Sequence, residues 1–239
     1  MSCDRSRYAL RTVFVLVCGM SISDASLCQP GPETAKQVPK ERANTFSLYG
    51  GMGISLAAAT ATVDYLNTLV DASQRVDEFA TAVEFFGGAE FPVTDEWGGA
   101  VEYSYLFKSY TLPTTSAGTY TLFYNVNMPT AMAHFVIPGR GYFLKLGGGA
   151  GYHFGSITQT SSLYGTDSSY TARGFGVKLQ AVGQTAFDER LFAYIGGDMR
   201  WEFLGKAKSA NGEELRNRGE AASLSMFAVG LRFGLIYYF

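Results

Sequence analysis

The residues most suggestive of phosphate chemistry are a run of glycines at Gly147-Gly-Gly-Ala-Gly151. A phosphate-binding loop of the P-loop type continues into Lys-Ser or Lys-Thr and opens a helix. Here Tyr152 follows the run, and the sequence beyond it has no helical spacing. The glycines are better explained as small residues that make room for neighbouring side chains in a crowded interior, so we expect no cofactor.

The two histidines, His134 and His153, are the next candidates for chemistry. Neither has a partner at the spacing of a metal site, so we expect no metal. Membrane proteases and acyl transferases need a constellation of the Ser, His and Asp type. His153 is expected to face inward, towards Ser or Asp residues of neighbouring strands, but no pattern marks such partners. We therefore expect structural histidines and no enzyme.

Ten charged residues lie in segments where apolar and polar residues alternate, and in each segment they fall on the polar face, which we expect to point inward. The five acidic ones are Glu84, Glu90, Glu102, Asp198 and Glu202, and the five basic ones are Lys108, Lys145, Lys178, Arg200 and Arg232. Equal numbers of both signs favour ion pairs over a selectivity ring of one sign. There are eight such segments, and a barrel of eight strands is barely wide enough for its own side chains. We therefore expect these pairs to plug the lumen.

The elements that would position these charges follow a period of two. From Phe46 to Leu56 every second residue is apolar or glycine, and the residues between are mostly small or polar, which is typical of a strand between lipid and lumen. The alternation recurs in eight segments, near 46–56, 83–91, 97–108, 122–137, 142–154, 175–181, 191–203 and 227–239. An even number of strands closes with no open edge. We predict an all-β fold, an eight-stranded antiparallel transmembrane β-barrel.

The connections between the segments alternate in length. Short ones lie at 92–96, 138–141 and 185–190, and long polar ones at 59–80, 109–119, 155–170 and 204–220. Short turns on one side and long loops on the other are typical of bacterial outer-membrane barrels. In the first loop, Val63, Leu66, Leu69, Val70 and Val76 recur near helical spacing. They predict a short amphipathic helix over the barrel mouth, or a partly helical loop.

The amino terminus has the three-part pattern of a secretory signal. Arg5, Arg7 and Arg11 precede an apolar run over 12–20, and small residues at 23 and 25 are spaced for cleavage. We predict a cleaved signal peptide at 1–25, a flexible proline-rich lead-in at 26–44 and the barrel at 45–239. Cys28 is then the single cysteine of the mature chain, and the residues before it fit a lipid-attachment motif poorly.

The composition agrees with a membrane barrel. Aromatic residues make up 15% of the chain and charged residues only 17%, and aromatic side chains favour strands. The formal net charge of −2 offers no basic excess for nucleic acid. We expect Trp97 and Trp201 to lie in the aromatic girdles that contact outer-membrane lipids.

The chain ends in Arg232-Phe-Gly234-Leu-Ile-Tyr237-Tyr-Phe239. This amphipathic end, with hydrophobic residues third from last and last, resembles the terminal signal by which barrel-assembly machinery recognises outer-membrane barrels. The exposed aromatic edge suits recognition by strand pairing. We expect Arg232, Gly234, Tyr237 and Phe239 to form this signal.

The mature chain resembles the small eight-stranded outer-membrane barrels, and within them it is most similar to the outer-membrane protein W family. The local similarity is carried by Met128-Pro-Thr-Ala-Met-Ala-His-Phe135, by the glycine-rich segment Tyr142 to Tyr152, and by the terminal Phe239. The resemblance implies passage of small hydrophobic molecules through a narrow, apolar lumen that opens sideways to lipid.

Two functions remain open at this point. The first is a narrow channel for small, mainly hydrophobic solutes, which predicts a continuous gap and an apolar pocket near the outer mouth. The second is a plugged barrel that acts as a surface adhesin or membrane anchor, with host or other extracellular ligands at its loops. Of the two we favour the channel, and we expect the protein in the bacterial outer membrane.

Overall fold

The computed structural model describes residues 45–68, 75, 79–113, 119–139, 141–161, 166–217 and 219–239. The predicted signal peptide and lead-in lie outside these residues. The elements, in chain order, are β1 (Ser47–Ala58), α1 (Thr60–Thr68), β2 (Phe79–Pro92), β3 (Trp97–Pro113), β4 (Thr119–Pro138), β5 (Tyr142–Ser161), β6 (Thr166–Ala186), β7 (Leu191–Leu204), β8 (Lys208–Ser209), β9 (Arg216–Asn217), β10 (Glu220–Ala221) and β11 (Met226–Tyr238).

Eight long strands form one closed antiparallel sheet. Each of β1 to β6 pairs with the next strand along the chain, and β11 pairs with both β7 and β1. The seam between the first and last strands runs from the pair Ser47 and Tyr238 to the pair Ala58 and Phe227. The predicted eight-stranded barrel is therefore confirmed. No described helix is long and apolar enough to cross a membrane.

Burial alternates along the strands as the period of two predicts. On β11, Leu231 is 62% exposed whereas its neighbour Arg232 is 1% exposed. On the other side of the seam, Ile54 is exposed and Ser55 is buried. Exposed apolar residues thus cover the outside, whereas charged residues such as Arg232 are buried inside, which suits a wall surrounded by lipid.

Two of the predicted long loops are shorter than expected because their strands continue. β5 and β6 remain paired from Gly155 and Ala172 to Ser161 and Thr166, inside the span predicted as the loop 155–170. β3 and β4 likewise pair as far as Pro113 and Thr119. These extensions are rich in Thr and Ser, whose cross-strand pairs stabilise strands, and Leu122 and Ile157 are buried on their inner face.

The two ends of the barrel differ. The turn end carries the short connections that follow Pro92, Pro138 and Ala186, and the long-loop end carries the others. At the long-loop end, α1 confirms the helix predicted for the first loop, although Leu69, Val70 and Val76 lie outside the described residues. Leu66 of α1 is fully buried and packs with Leu106 and Leu122 of the barrel wall, so the helix lies over the mouth.

Candidate functional site

The barrel interior holds three layers of side chains. At the turn end lies the turn-end cluster, which comprises Tyr49, Phe86, Val136, Phe143, Val182, Phe192, Tyr194, Ile236 and Tyr238. At the long-loop end lies the mouth cluster, an apolar group that includes Leu66, Leu106, Leu122, Tyr124, Ile157 and Leu224. Most of the predicted charges lie between these two layers. With His153 they form the lumen charge network, which consists of Glu84, Glu90, Glu102, Lys145, His153, Lys178, Asp198, Arg200, Glu202 and Arg232.

Arg232 and Lys178 neutralise Glu102 from two sides. Arg232 Nη1 donates to Glu102 Oε2 at 3.0 Å, and Lys178 Nζ donates to Oε1 at 2.6 Å. The hydroxyls of Tyr49 and Ser104 donate to the same carboxylate at 3.0 and 2.9 Å. Glu102 therefore receives four donors in a site where it is 1% exposed. Such saturation offsets the cost of burying its charge.

Arg200 forms a second centre with Glu84 and Asp198. Its Nη2 donates to Glu84 Oε2 at 2.6 Å, and its Nε donates to Asp198 Oδ2 at 2.8 Å. Arg232 connects the two centres, since its Nη2 lies 3.5 Å from Glu84 Oε1. Four strands are thereby joined across the lumen through two guanidinium groups, whose planar forks suit such shared contacts.

A third pair lies nearer the turn end. Lys145 Nζ contacts Glu90 Oε2 and donates to the Tyr238 hydroxyl at 3.2 Å, while Ser47 donates to Glu90 at 3.2 Å. The Tyr238 hydroxyl in turn donates to Gln184 Oε1 at 2.6 Å. This chain of hydrogen bonds continues the charge network into the turn-end cluster.

Glu202 has a partner that the charge pattern did not identify. Its Oε2 contacts Nδ1 of His153, and Nε2 of His153 lies 3.2 Å from the Thr130 hydroxyl. The inward position of His153 was predicted from its strand, but its pairing depends on the register that aligns β5, β6 and β7. The second histidine, His134, is buried with Nδ1 unpartnered among the described residues.

Lys108 is the one predicted charge that does not join the network. It is half-buried above it, with Nζ 5.4 Å from the centre of the Tyr110 ring, and it makes no ion pair among the described residues. The balance of five acidic and five basic residues expected from the sequence thus becomes five carboxylates against four basic residues and His153.

The layers leave little space. The gap enclosed by Ser104, Met128, Thr130, His153, Lys178, Arg200 and Glu202 has no room for a water molecule. An open recess lies higher, between α1 and the barrel wall. In the described part of the chain, no three His, Cys, Asp or Glu side chains are grouped to hold a metal ion.

The predicted girdle tryptophans and the terminal Tyr237 and Phe239 lie on the outside, away from the charges. Trp97 contacts Phe135 with ring centres 5.5 Å apart, and Trp201 contacts Phe227 at 5.4 Å. At the carboxyl end, Tyr237 and Phe239 pack edge to face on the exterior. Gly234 lies opposite Gly51 in the closing seam, and Arg232 points inward.

No protein-family model and no curated protein matches this chain. Among solved structures it is similar to the Neisserial surface protein A, with a TM-score of 0.50, 14% identity, and coverage of 81% of this chain and 97% of that one. The Yersinia pestis attachment invasion locus protein Ail, solved with the heparin analogue sucrose octasulfate, matches with a TM-score of 0.47, 14% identity and coverage of 82% and 99%. At such identities the similarity is one of fold.

The comparison confirms the fold of small bacterial outer-membrane barrels. The predicted outer-membrane localisation is confirmed through this shared fold. It corrects the expectation that the chain is not an enzyme. The outer-membrane protease OmpT of Escherichia coli also matches, with a TM-score of 0.43, 8% identity and coverage of 82% of this chain and 97% of that one.

Proposed function

We propose that this chain is an outer-membrane barrel with a closed lumen that acts at the cell surface, as an adhesin or membrane anchor, through its long-loop end. The lumen charge network carries the proposal. Arg200 meets Glu84 at 2.6 Å, and Lys178 meets Glu102 at 2.6 Å, in each case from strands three places apart around the ring. Side chains thereby occupy the width that a solute would need.

The long-loop end offers the chemistry for contact. The β5–β6 extension presents Ser, Thr and Tyr side chains beyond the apolar belt, and these are adaptable groups for recognition. In the connection between β7 and β11, Lys206, Lys208 and Arg216 surround Glu214 at 3.8, 4.0 and 3.8 Å. All three cations are mostly exposed, so they remain available to a host or other extracellular ligand.

A conductance measurement tests the closed lumen. We expect the refolded wild-type barrel to give no steady current in a planar bilayer. Arg200→Ala and Arg232→Ala each remove a side chain that joins opposite walls, so we expect small or flickering currents from these variants. Steady conductance by the wild type would refute the closed lumen.

A binding assay tests the role of the long-loop end. Residues 158–169 are replaced by Asn-Gly, which joins the paired positions Ile157 and Tyr170 through a two-residue hairpin turn. Cells that display the wild type should adhere to host extracellular matrix, and cells that display the shortened hairpin should adhere less. Equal adhesion by both, at equal surface display, would exclude this hairpin as the contact.

A second candidate is passage of small hydrophobic molecules, as the resemblance to the outer-membrane protein W family implies. The recess between α1 and the barrel wall favours it, because an apolar pocket near the outer mouth is expected of such a channel. The filled layer below the recess opposes it. Uptake of small apolar solutes into liposomes by the wild type, altered in Arg200→Ala and Arg232→Ala, would favour passage over a closed barrel.

We also propose how the chain reaches its membrane. The predicted signal peptide would be cleaved after Ala25, so the mature chain should begin at Ser26, which amino-terminal sequencing checks. The barrel-assembly machinery would recognise the terminal strand through Tyr237 and Phe239. Deletion of Phe239 should lower the amount of folded barrel in the outer membrane relative to a Phe187→Ala control, which removes an exposed aromatic ring from a turn.

A further inference from the structure

Exposed cations gather on one side of the barrel at the long-loop end. Arg173 is exposed on β6, and its carbonyl accepts the backbone N–H of Gly205 at 3.1 Å. Two residues away, Thr171 pairs with Lys208 of β8, so Lys206 and Lys208 lie along the part of β6 that carries Arg173. With one residue of β9 these cations form the lateral basic patch, which consists of Arg173, Lys206, Lys208 and Arg216.

The lateral basic patch faces outward and carries an excess of positive charge. Ala207, between the two lysines, is fully buried in the mouth cluster. Lys206 and Lys208 therefore project from the opposite, exterior face. Among the described residues, Glu214 is the one carboxylate within ion-pairing distance of the patch, and it is shared between both lysines and Arg216. One carboxylate does not neutralise these cations.

Exposed aromatic rings lie directly below the patch on the outside of the barrel. The guanidinium carbon of Arg173 is 5.9 Å from the ring centre of Phe154, and Phe175 pairs with Phe203 of β7. The Tyr152 ring contacts those of Phe154 and Phe175 at 5.4 and 5.2 Å. Since a tilted strand rises about 2.5 Å per residue, Arg173 lies about 5 Å above Phe175. The cations thus border an apolar surface.

The patch distinguishes one side of the barrel from the rest. The other lysines and arginines of the described strands lie on the lumen face, and they are Lys108, Lys145, Lys178, Arg200 and Arg232. On the exterior of the described strands, positive charge is therefore confined to the side of β6, β8 and β9. A general solvated rim would spread its charges around the whole circumference.

We propose that the lateral basic patch binds the phosphorylated headgroup of a glycolipid in the outer leaflet of the outer membrane. The phosphates would accept hydrogen bonds from Arg173, Lys206 and Lys208, and the acyl chains would lie along Phe154 and Phe175. The inference rests on the proposed function, which puts the long-loop end at the cell surface. It gives the exposed cations a partner from the protein's own membrane.

The cations and the rings together select this ligand class. Phosphate oxygens accept charge-assisted hydrogen bonds from guanidinium and ammonium groups alike, and basic clusters beside a membrane surface recognise anionic lipids. A zwitterionic lipid would bring its own cation into a patch that already has an excess. A soluble polyanion would contact the cations but would gain nothing from the rings, which face the hydrocarbon of the membrane.

Lipid A, a glycolipid with two phosphates, is the probe, and the refolded full-length barrel in a neutral detergent is the sample. Native mass spectrometry measures how much lipid each barrel holds as the lipid concentration rises. We expect saturable binding whose apparent Kd rises at least tenfold in Arg173→Gln/Lys208→Gln. Phe175→Ala should weaken binding more modestly, and lipid A without its phosphates should bind the wild type no better than the charge variant.

Arg75→Gln/Arg190→Gln is the matched control, because it also removes two positive charges from exposed positions. It should bind lipid A as the wild type does. Equal affinity in the patch variant and the wild type would overturn the proposal. So would displacement of lipid A by an equal concentration of inorganic phosphate, or binding of soluble heparin that alone depends on the patch. The conductance and adhesion tests keep these cations intact, so the proposed function is tested separately.

Discussion

The guanidinium group of Arg232 stacks on the ring of Phe86, with Cζ 3.6 Å from the ring centre, and bonds to Glu102 from the same position. This places one cation between the turn-end cluster and the lumen charge network. Arg232 also lies near Glu84, Ser104 and Gln180. It is therefore the side chain through which the two layers are joined.

Removal of Arg232 should strongly destabilise the barrel. Arg232→Met keeps much of the volume but takes one cation from both Glu84 and Glu102, and breaking a buried ion pair from one side costs about 3–5 kcal/mol. Arg232→Lys should cost less, because it keeps the charge while losing the planar fork. Urea unfolding of barrels refolded into lipid vesicles measures both. A free energy of unfolding for Arg232→Met that equals the wild-type value would contradict the ion-pair assignment.

His153 and Glu202 should be energetically coupled. Each single substitution, His153→Ala or Glu202→Ala, leaves a buried polar partner unsatisfied, whereas the double substitution removes both groups. Contacting residues in such a cycle show coupling of about 0.5–3 kcal/mol. We expect the double variant to be less destabilised than the sum of the two single variants, again by urea unfolding. Strict additivity would mean that the contact contributes nothing to stability.

The strands were predictable because a period of two is a local signal. Glu84 and Arg200 could be assigned to the lumen from their immediate neighbours alone. Which charges meet was not predictable in this way, since Glu102 is joined to Lys178 and Arg232, which are 76 and 130 residues away. Those pairs depend on strand register and on the stagger of the closed sheet.

Two predictions at the long-loop end, the pairing of Lys108 and the length of the loop after β5, were wrong because they too depend on neighbouring strands. The alternation gives Lys108 the same inward face as Glu102, but not its height along the barrel, and it lies above the network beside Tyr110. The extension from Gly155 to Ser161 resembles a loop in composition because most of its residues are Ser, Thr and Gln. Its strand pairing is stabilised by β6, which the sequence of β5 does not reveal.

The closing seam should tolerate a methyl group at one glycine and not at its neighbour. A β-carbon on Gly51 would lie 2.6 Å from Gly234 Cα and would overlap the Phe233 carbonyl oxygen. On Gly50 the nearest atom would be 3.4 Å away. We expect Gly51→Ala to destabilise the barrel by about 1–3 kcal/mol, as overpacking does. Gly50→Ala is the control and should change little in the same unfolding measurement, and equal losses in both variants would contradict the tight seam.

The two tryptophans should report two different edges of the apolar belt. Trp97 begins β3 at the turn end, and Trp201 lies near the long-loop end of β7, so each is expected at one membrane interface. Because the chain contains only two tryptophans, Trp97→Phe and Trp201→Phe each leave one fluorescent probe. In vesicles of brominated lipids, both probes should be quenched more by bromines near the headgroups than by bromines near the bilayer centre. A probe quenched most at the centre, or by neither lipid, would contradict its assignment to an interfacial girdle.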